Sequence, residues 1–269
     1  MEKETKSTYS TPIAIVIAGV VIAGALYFSD SKKAESPTPP VAAVKQQSTL
    51  DQIRPVSADD HIRGNPNADI IIVEYSDTEC PFCGRFHQSL KQVMDTYGKD
   101  GKVAWVYRHS PIDQLHSKSR HEAAALECAN ELGGNDKFWE YTDTIYSTTP
   151  ANNGLDPAEL PKIAASVGLD VAKFNTCLTS GKYDAKIQAD VLNAQATGGQ
   201  GTPWSVLVLR EAISQDVNDK LDQYVVANNI VDQSGKPMVY ASADKKLIAM
   251  SGALPYPMIK SIFDTILNK

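Results

Sequence analysis

Two cysteines three residues apart, Cys80 and Cys83, are the residues whose types and spacing most clearly suggest chemistry. They lie in the segment DTECPFCGRF, directly after the apolar run ADIIIVEYS at 68–76. Such a pair can carry out thiol–disulfide exchange, supply half of a metal site, or be two inert buried thiols.

A metal site is the first alternative to redox chemistry. Zinc and iron–sulfur sites usually need four ligands in two close pairs, whereas Cys128 and Cys177 are each isolated. His87 lies one helical turn beyond Cys83 and could add one ligand. Covalent haem attachment would need a histidine directly after Cys83, where this chain has Gly84. We therefore favour a redox pair and predict no metal and no cofactor.

The elements around the pair are predicted to be strand, helix and strand. Segment 68–76 is a short β-branched run typical of a buried central strand, and 102–109 is another. Between them, Phe86, Leu90, Val93, Met94 and Tyr97 recur at helical spacing, and Gly98 ends the pattern. The cysteines are therefore predicted at a strand-to-helix junction.

This position suggests different roles for the two sulfurs. Unpaired backbone N–H groups and the macrodipole at a helix N-terminus stabilise a thiolate, so we predict Cys80 as the nucleophile. Cys83 lies one turn on and should face inward, where it would resolve a mixed disulfide. Pro81 in the first turn lacks an N–H that would have been unpaired there, and holds the turn rigid.

The rest of the folded part is predicted to add a helical block and more strands. From 117 to about 196 only helical patterns occur, strand character returns at 202–209, 237–242 and 246–252, and a helix closes the chain. We predict an α/β domain at 55–269 with an all-helical insertion at about 117–198.

The N-terminal part has a different composition. No charged residue occurs from 11 through 29, and the apolar run 11–28 spans about 25 Å at 1.5 Å per residue, near the lower limit for a membrane helix. The alternative is a cleaved signal at Ala23-Gly24-Ala25. We favour an uncleaved anchor because apolar residues continue to Phe28, and predict 1–29 as a cytoplasmic stub with a transmembrane signal-anchor. Residues 30–54 would form a flexible linker.

The net charge of the chain restricts the kinds of partner that it can bind. The 269 residues carry a net charge of −6 with no basic stripe, which argues against nucleic-acid binding. If the N-terminal segment acts as an export signal, the domain lies outside the cytoplasm as part of a single-pass membrane protein.

Several motifs in order resemble the DsbA-like thiol:disulfide oxidoreductases, which have a thioredoxin fold with a helical insertion. They are VEYSDTECPFC, YRHSPI, AAALECANELGGNDKFWEYTDTIY, VGLDVAKFNTCLTSGKY and GTPWSVLV. The resemblance runs from about His61 to Leu209 and resumes near Lys246. It implies a thioredoxin-like fold interrupted by the insertion and preceded by one transmembrane helix.

The resemblance implies roles for further residues. Thr202-Pro203 matches the family's cis-proline loop, which lies beside the cysteines and pairs with substrate peptide. Glu74 occupies the place of a buried acid that could relay the proton of Cys83; the alternative is a strand-end glutamate facing water. Cys128 and Cys177 would form a structural disulfide, as in some members, rather than stay free thiols.

The chain departs from the family at two places. Phe82 offers no hydrogen-bond donor where the most oxidising members carry histidine, which predicts a weaker oxidant. Segment 210–236 carries one apolar helical face of Ile213, Val217, Leu221, Tyr224 and Val225. It could cover a substrate groove, meet a membrane partner, or simply pack on the sheet.

These features predict a membrane-tethered, extracytoplasmic oxidoreductase that introduces disulfides into exported proteins. A membrane oxidase of DsbB or vitamin K epoxide reductase type would reoxidise the pair, by analogy with the family. The alternatives are a reductase or isomerase of the same fold, and a non-catalytic or metal-binding module. Isomerases of this fold usually dimerise through an extra domain that is not visible here, so we expect a monomer.

Overall fold

A six-stranded sheet lies at the centre of the structure, a computed structural model that describes residues 49–267. The strand order is β1-β3-β2-β4-β6-β5. Within this sheet β2 and β3 pair in parallel, and the other neighbours pair antiparallel. The strands are β1 (His61–Gly64), β2 (Ile70–Ser76), β3 (Val103–His109), β4 (Trp204–Leu209), β5 (Val239–Ala241) and β6 (Leu247–Ser251).

Helices cover the sheet and fill the interval between β3 and β4. Helix α1 (Pro81–Val93) follows β2 and continues into a π-helical turn, Met94–Gly98. The other helices are α2 (Ser119–Thr148), α3 (Glu159–Ser166), α4 (Val171–Leu178), α5 (Asp184–Ala196), α6 (Gln215–Ala227) and α7 (Tyr256–Ile266). Helices α2 to α5 occupy the predicted insertion at about 117–198.

The two faces of the sheet bury different sets of side chains. In β2, Ile70 and Ile72 belong to the larger core cluster, whereas Val73 and Tyr75 point to the opposite face and a smaller cluster. This alternation follows from the period of two residues in a strand. Because both faces are covered, β2 reads as a continuous apolar run, which explains why the sequence identified it.

The folded part begins before the predicted boundary at residue 55. A 3₁₀ turn at Thr49–Gln52 places Leu50 fully buried in the smaller cluster, beside Val73 and Ala194. The backbone N–H of Arg54 donates to Asn193 Oδ1 at 3.1 Å. These contacts tie the end of the predicted linker to the domain.

Segment 210–236 packs on the domain through α6. The Ser214 side chain caps this helix by accepting from the backbone N–H of Val217. Val217, Leu221 and Val225 are buried, and the helix contacts α7 and β5. Its apolar face is therefore used within the fold.

The predicted anchor at 11–28 and most of the predicted linker lie outside the described residues. Among the helices of residues 49–267, none has the length and apolar character needed to cross a membrane.

Candidate active site: a cysteine pair between strand β2 and helix α1

Cys80 is the residue that immediately precedes helix α1. Its backbone is extended (φ −80°, ψ 119°), and Pro81 occupies the first helical position. The Gly84 N–H donates to the Cys80 carbonyl at 3.2 Å, and this bond closes the first turn. Cys80 is 5% exposed and Cys83 is fully buried. Both are free thiols in this structure.

The pKa values of the two thiols are shifted in opposite directions. A hydrogen bond from the Cys83 thiol lowers the pKa of Cys80 to about 6, and backbone N–H groups of Cys83 and Phe82 act in the same direction. Burial raises the pKa of Cys83 well above its ordinary value. Cys80 is therefore the thiolate at neutral pH. The sequence predicted the helix terminus as the main cause, but the neighbouring thiol has the larger effect.

The loop before β4 meets this pair. The Thr202–Pro203 peptide bond is cis, and the Thr202 carbonyl oxygen lies 3.5 Å from Cys80 Sγ. Trp204 follows the loop, and its indole N–H donates to the Thr197 hydroxyl at 3.0 Å. The predicted cis-proline loop therefore lies directly beside the nucleophilic sulfur.

Glu74 lies in β2 and is fully buried. Its Oε2 accepts from the Trp105 indole N–H at 2.8 Å, whereas its Oε1 makes no hydrogen bond within the described residues. Burial raises the pKa of Glu74 to about 7, and the Glu74 charge contributes to the raised pKa of Cys83. The alternative of a glutamate facing water does not fit this position.

Pro81 and Phe82 lie between the two cysteines. Phe82 is 52% exposed. The Arg85 guanidinium lies 4.6 Å from the centre of the Phe82 ring, a cation–π contact. The ring offers Cys80 no hydrogen bond. The exposed ring beside the cysteine pair is therefore flanked by the positive charge of Arg85.

Asp77 is a site residue that was not predicted from the sequence. Its carboxylate accepts from the backbone N–H of Ile112 at 2.8 Å, from His116 Nδ1 at 2.9 Å and from the Ser119 hydroxyl at 2.5 Å. Its own backbone N–H donates to Cys83 Sγ at 3.5 Å. Asp77 thus fixes the loop that carries Cys80. An aspartate three residues before the first cysteine was the available signal.

Two further acids lie beside this loop and were also missed. Glu79 and Glu122 are both buried, and the Thr78 hydroxyl donates to Glu122 Oε2 at 2.6 Å. Burial and the adjacent Glu79 carboxyl raise the pKa of Glu122 to about 8. Glu122 is therefore mainly protonated at neutral pH, which limits the negative charge near Cys80.

The other two cysteines form a disulfide between α2 and α4. Cys128 and Cys177 are buried, with their Cα atoms 5.8 Å apart and a sequence separation of 49 positions. The structure therefore places all nine predicted site residues in two groups, one around Cys80 and one at this disulfide. The group around Cys80 comprises Glu74, Cys80, Pro81, Phe82, Cys83, Thr202 and Pro203.

Comparison with known proteins identifies the family. A protein-family model described as thioredoxin matches residues 57–225. Curated relatives include Na(+)/H(+) antiporter NhaA 3 of Salinispora tropica, 33% identical over 155 residues, which are 57% of this chain and 22% of that protein. Na(+)/H(+) antiporter NhaA 1 of Mycolicibacterium gilvum is 30% identical over 193 residues, 70% of this chain and 29% of that protein. The chain spans less than a third of the length of these relatives.

Similar solved structures are DsbA-type proteins. Pseudomonas aeruginosa DsbA2 has a TM-score of 0.56 and 24% identity, with 78% of this chain and 96% of that chain covered. Wolbachia pipientis alpha-DsbA1 has a TM-score of 0.59 and 20% identity, covering 82% and 96%. Oxidised BdbD from Bacillus subtilis has a TM-score of 0.58 and 17% identity, covering 81% and 97%. From the family match and this shared architecture we conclude that the chain belongs to the thioredoxin family and has the fold of the DsbA-like thiol:disulfide oxidoreductases.

Proposed function

We propose that this thiol:disulfide oxidoreductase works as a dithiol oxidase outside the cytoplasm and donates a Cys80–Cys83 disulfide to exported proteins with reduced cysteines. The observation that carries the proposal is the difference between the two thiols. A pKa of about 6 makes Cys80 a good leaving group, and the buried Cys83 holds its proton.

The exchange takes two steps. A substrate thiolate attacks Cys80 of the oxidised pair, the Cys80–Cys83 bond breaks, and Cys83 leaves with the electron pair and takes up a proton. A second substrate thiolate then attacks the substrate sulfur of the mixed disulfide and releases Cys80 as a thiolate. The substrate loses two electrons and gains a disulfide, and the Cys80–Cys83 pair gains the same two electrons.

Glu74 is the proposed proton donor to Cys83. With a pKa of about 7 and an Oε1 that has no other hydrogen bond in the described structure, its carboxyl can release and regain a proton near neutral pH. The Thr202 carbonyl beside Cys80 supports a second role. Backbone at this loop would pair with the substrate peptide while its thiolate reaches the sulfur.

Continued turnover requires an electron acceptor for the reduced pair. We propose a membrane oxidase of DsbB or vitamin K epoxide reductase type, with the segment at 11–28 as the anchor that keeps the domain at that membrane. Protease accessibility in intact cells tests this location. If the protease degrades the domain only after the cell envelope has been permeabilised, a cell-surface location is contradicted. Cofractionation of the domain with cytoplasmic proteins would contradict export altogether.

Cys83→Ser is the direct test of the mechanism. This variant should accumulate mixed disulfides between Cys80 and thiol proteins, because the resolving sulfur is absent. Cys177→Ser is the matched control and should trap nothing at Cys80. Measuring the reduction potential alongside the oxidation of a reduced peptide separates the directions of exchange. A potential as low as that of thioredoxin, about −270 mV, would favour a reductase instead.

A further inference from the structure

A second buried polar cluster lies apart from the cysteine pair and consists of His61, His109 and Glu127. They are 3%, 1% and 0% exposed. The Nε2 atoms of both histidines approach the same carboxylate oxygen, Glu127 Oε1, at 2.8 Å for His61 and 2.9 Å for His109. Three potential ligand atoms from three different elements therefore converge on one point.

The sheet register explains this convergence. His61 in β1 lies opposite Tyr107 in β3, and His109 is two residues further along the same strand. Side chains two residues apart share a face, so both imidazoles point to the side covered by α2, which carries Glu127. The Phe138 ring stacks on His61 with 3.6 Å between ring centres and fixes its orientation.

Hydrogen bonding alone does not account for the contacts of His61. Its Nε2 lies 2.8 Å from Glu127 Oε1, which requires a proton on that nitrogen, and 3.1 Å from Lys186 Nζ, which requires a lone pair there. One nitrogen of a neutral imidazole cannot do both. Lys186 also contacts Glu127 Oε2 at 2.8 Å, so a positive charge already sits against this cluster.

We propose that His61, His109 and Glu127 bind a divalent transition-metal cation, with Zn²⁺ as the best match. Two imidazole nitrogens and one carboxylate are a common three-residue set for zinc, whereas calcium and magnesium prefer oxygen ligands. The ligand atoms lie within 4.8 Å of one another. Bonds of about 2.0–2.2 Å in a tetrahedral site would require the ligand atoms to move apart by roughly 0.5 Å.

The surroundings provide an entry path and an open coordination position. A cavity of about 920 Å³ reaches the cluster, and His61, Glu127 and Lys186 line it. The Lys186 side chain is 30% exposed, so its ammonium can move into solvent when a cation takes over its role. Three protein ligands leave a fourth position for water on the cavity side.

The bound cation would tie β1, β3 and α2 together at one point. A ligand that binds the native state alone stabilises it in proportion to the logarithm of its concentration over its dissociation constant. The site therefore predicts a rise in melting temperature with added Zn²⁺, independent of the redox pair.

Zinc titration of the full, untagged chain tests the proposal. The protein is first oxidised, so that the cysteine thiols cannot bind zinc. Calorimetry with ZnCl₂ should show one equivalent bound, with a matching rise in melting temperature. Loss of an outer-shell hydrogen-bond partner typically weakens metal binding by about 10–100-fold. His109→Gln removes a ligand itself and should therefore weaken zinc binding by at least that factor. Lys186→Met should strengthen it, because no cation has to be displaced.

His121→Gln is the matched control, since His121 is an exposed histidine on the same helix as Glu127. It should bind zinc as the wild type does. Co²⁺ in place of Zn²⁺ should give the visible absorption of a tetrahedral site, which Glu127→Gln should lose. Absence of one-equivalent zinc binding in both wild type and Lys186→Met, or unchanged binding in a folded His109→Gln variant, would overturn the proposal.

Discussion

The molecule contains two cysteine pairs with opposite chemistry. Cys80 and Cys83 are three positions apart and remain free thiols, whereas Cys128 and Cys177 are 49 positions apart and form a disulfide. Both pairs are buried, so burial does not distinguish them. Local polar groups do: backbone N–H groups, a neighbouring thiol and the Thr202 carbonyl surround Cys80.

The comparison shows how the fold sets the fate of a sulfur pair. A thiolate stabilised at a helix N-terminus favours the reduced state and makes the disulfide form an oxidant. A bridge between two helices of the α2–α5 block has no such stabilisation of its thiols, and it restricts the unfolded chain instead. The first pair should therefore determine activity and the second stability.

The largest expected effect is the loss of disulfide transfer in Cys80→Ser. A hydroxyl cannot form the mixed disulfide, so the oxidation of a reduced peptide should fall to the uncatalysed rate. Cys128→Ala/Cys177→Ala should retain activity at a temperature well below its unfolding transition. Residual turnover in Cys80→Ser would contradict the proposed division of roles. Loss of activity in the double variant while it is still folded would contradict it as well.

The next effect concerns stability. Removing the bridge with Cys128→Ala/Cys177→Ala should lower the free energy of unfolding by up to about 4 kcal/mol, the chain-entropy value for a loop of about 50 residues. Urea denaturation measures this loss. Reduction of a Cys80→Ala/Cys83→Ala variant, which keeps the bridge as its sole disulfide, should reproduce it. A change below about 1 kcal/mol would show that the bridge does not stabilise the fold.

A glutamate near each pair provides the third comparison. Burial raises the pKa of Glu74 from 4.5 to about 7, so between these pH values the native state retains a proton that the unfolded chain has released. Stability therefore falls as the pH rises through this window, by about 3 kcal/mol in total. Glu74→Gln should remove that slope, as measured by urea denaturation at several pH values.

Glu131 is the control for Glu74. Its Oε2 lies 3.4 Å from Cys177 Sγ, but Lys182 lowers its pKa. The contribution of Glu131 to stability is thus already complete above pH 4.5 and is lost only below it. Glu131→Gln should leave the slope between pH 4.5 and 7 unchanged. An equal slope in wild type and Glu74→Gln would refute the buried-acid assignment.

The smallest effect is a change of potential at Phe82. Phe82→His adds a donor beside Cys80, and a hydrogen bond to a charged group is worth about 1.5–3 kcal/mol, or about 30–60 mV for this two-electron couple. The variant should be more oxidising by that amount in a glutathione titration. Phe82→Leu adds no donor and should stay near the wild-type potential. A shift shared by both variants would point to lost ring packing.

The central strands and the cysteine junction were predictable from the sequence because their signals are local. The run at 68–76 is apolar over consecutive positions, and the helix after it repeats with a helical period. Both became the elements that position Cys80. The fold and the cis-proline loop required several motifs in order, since Thr202-Pro203 alone reads as an ordinary loop.

What the sequence did not show depends on contacts between distant residues. Strand β1 has the sequence HIRG, with one strongly apolar residue in four, and it is a strand because β3 pairs with it. The contacts of Asp77 with Ile112, His116 and Ser119, and those within the His61–His109–Glu127 cluster, join residues between 18 and 66 positions apart. No periodic pattern records such pairings, and the choice of partner for Cys128 likewise came from the family resemblance.

The hydrogen bond between Trp105 and Glu74 has an optical consequence. The fully buried indole donates to Glu74 Oε2 at 2.8 Å, and the Trp139 ring lies 4.7 Å away, centre to centre. Ionisation of that carboxyl changes the electric field across the indole. The ultraviolet fluorescence of Trp105 should therefore change with the protonation state of Glu74. The protein thus contains an intrinsic fluorescent probe that reports proton transfer next to its reactive sulfurs during a single turnover.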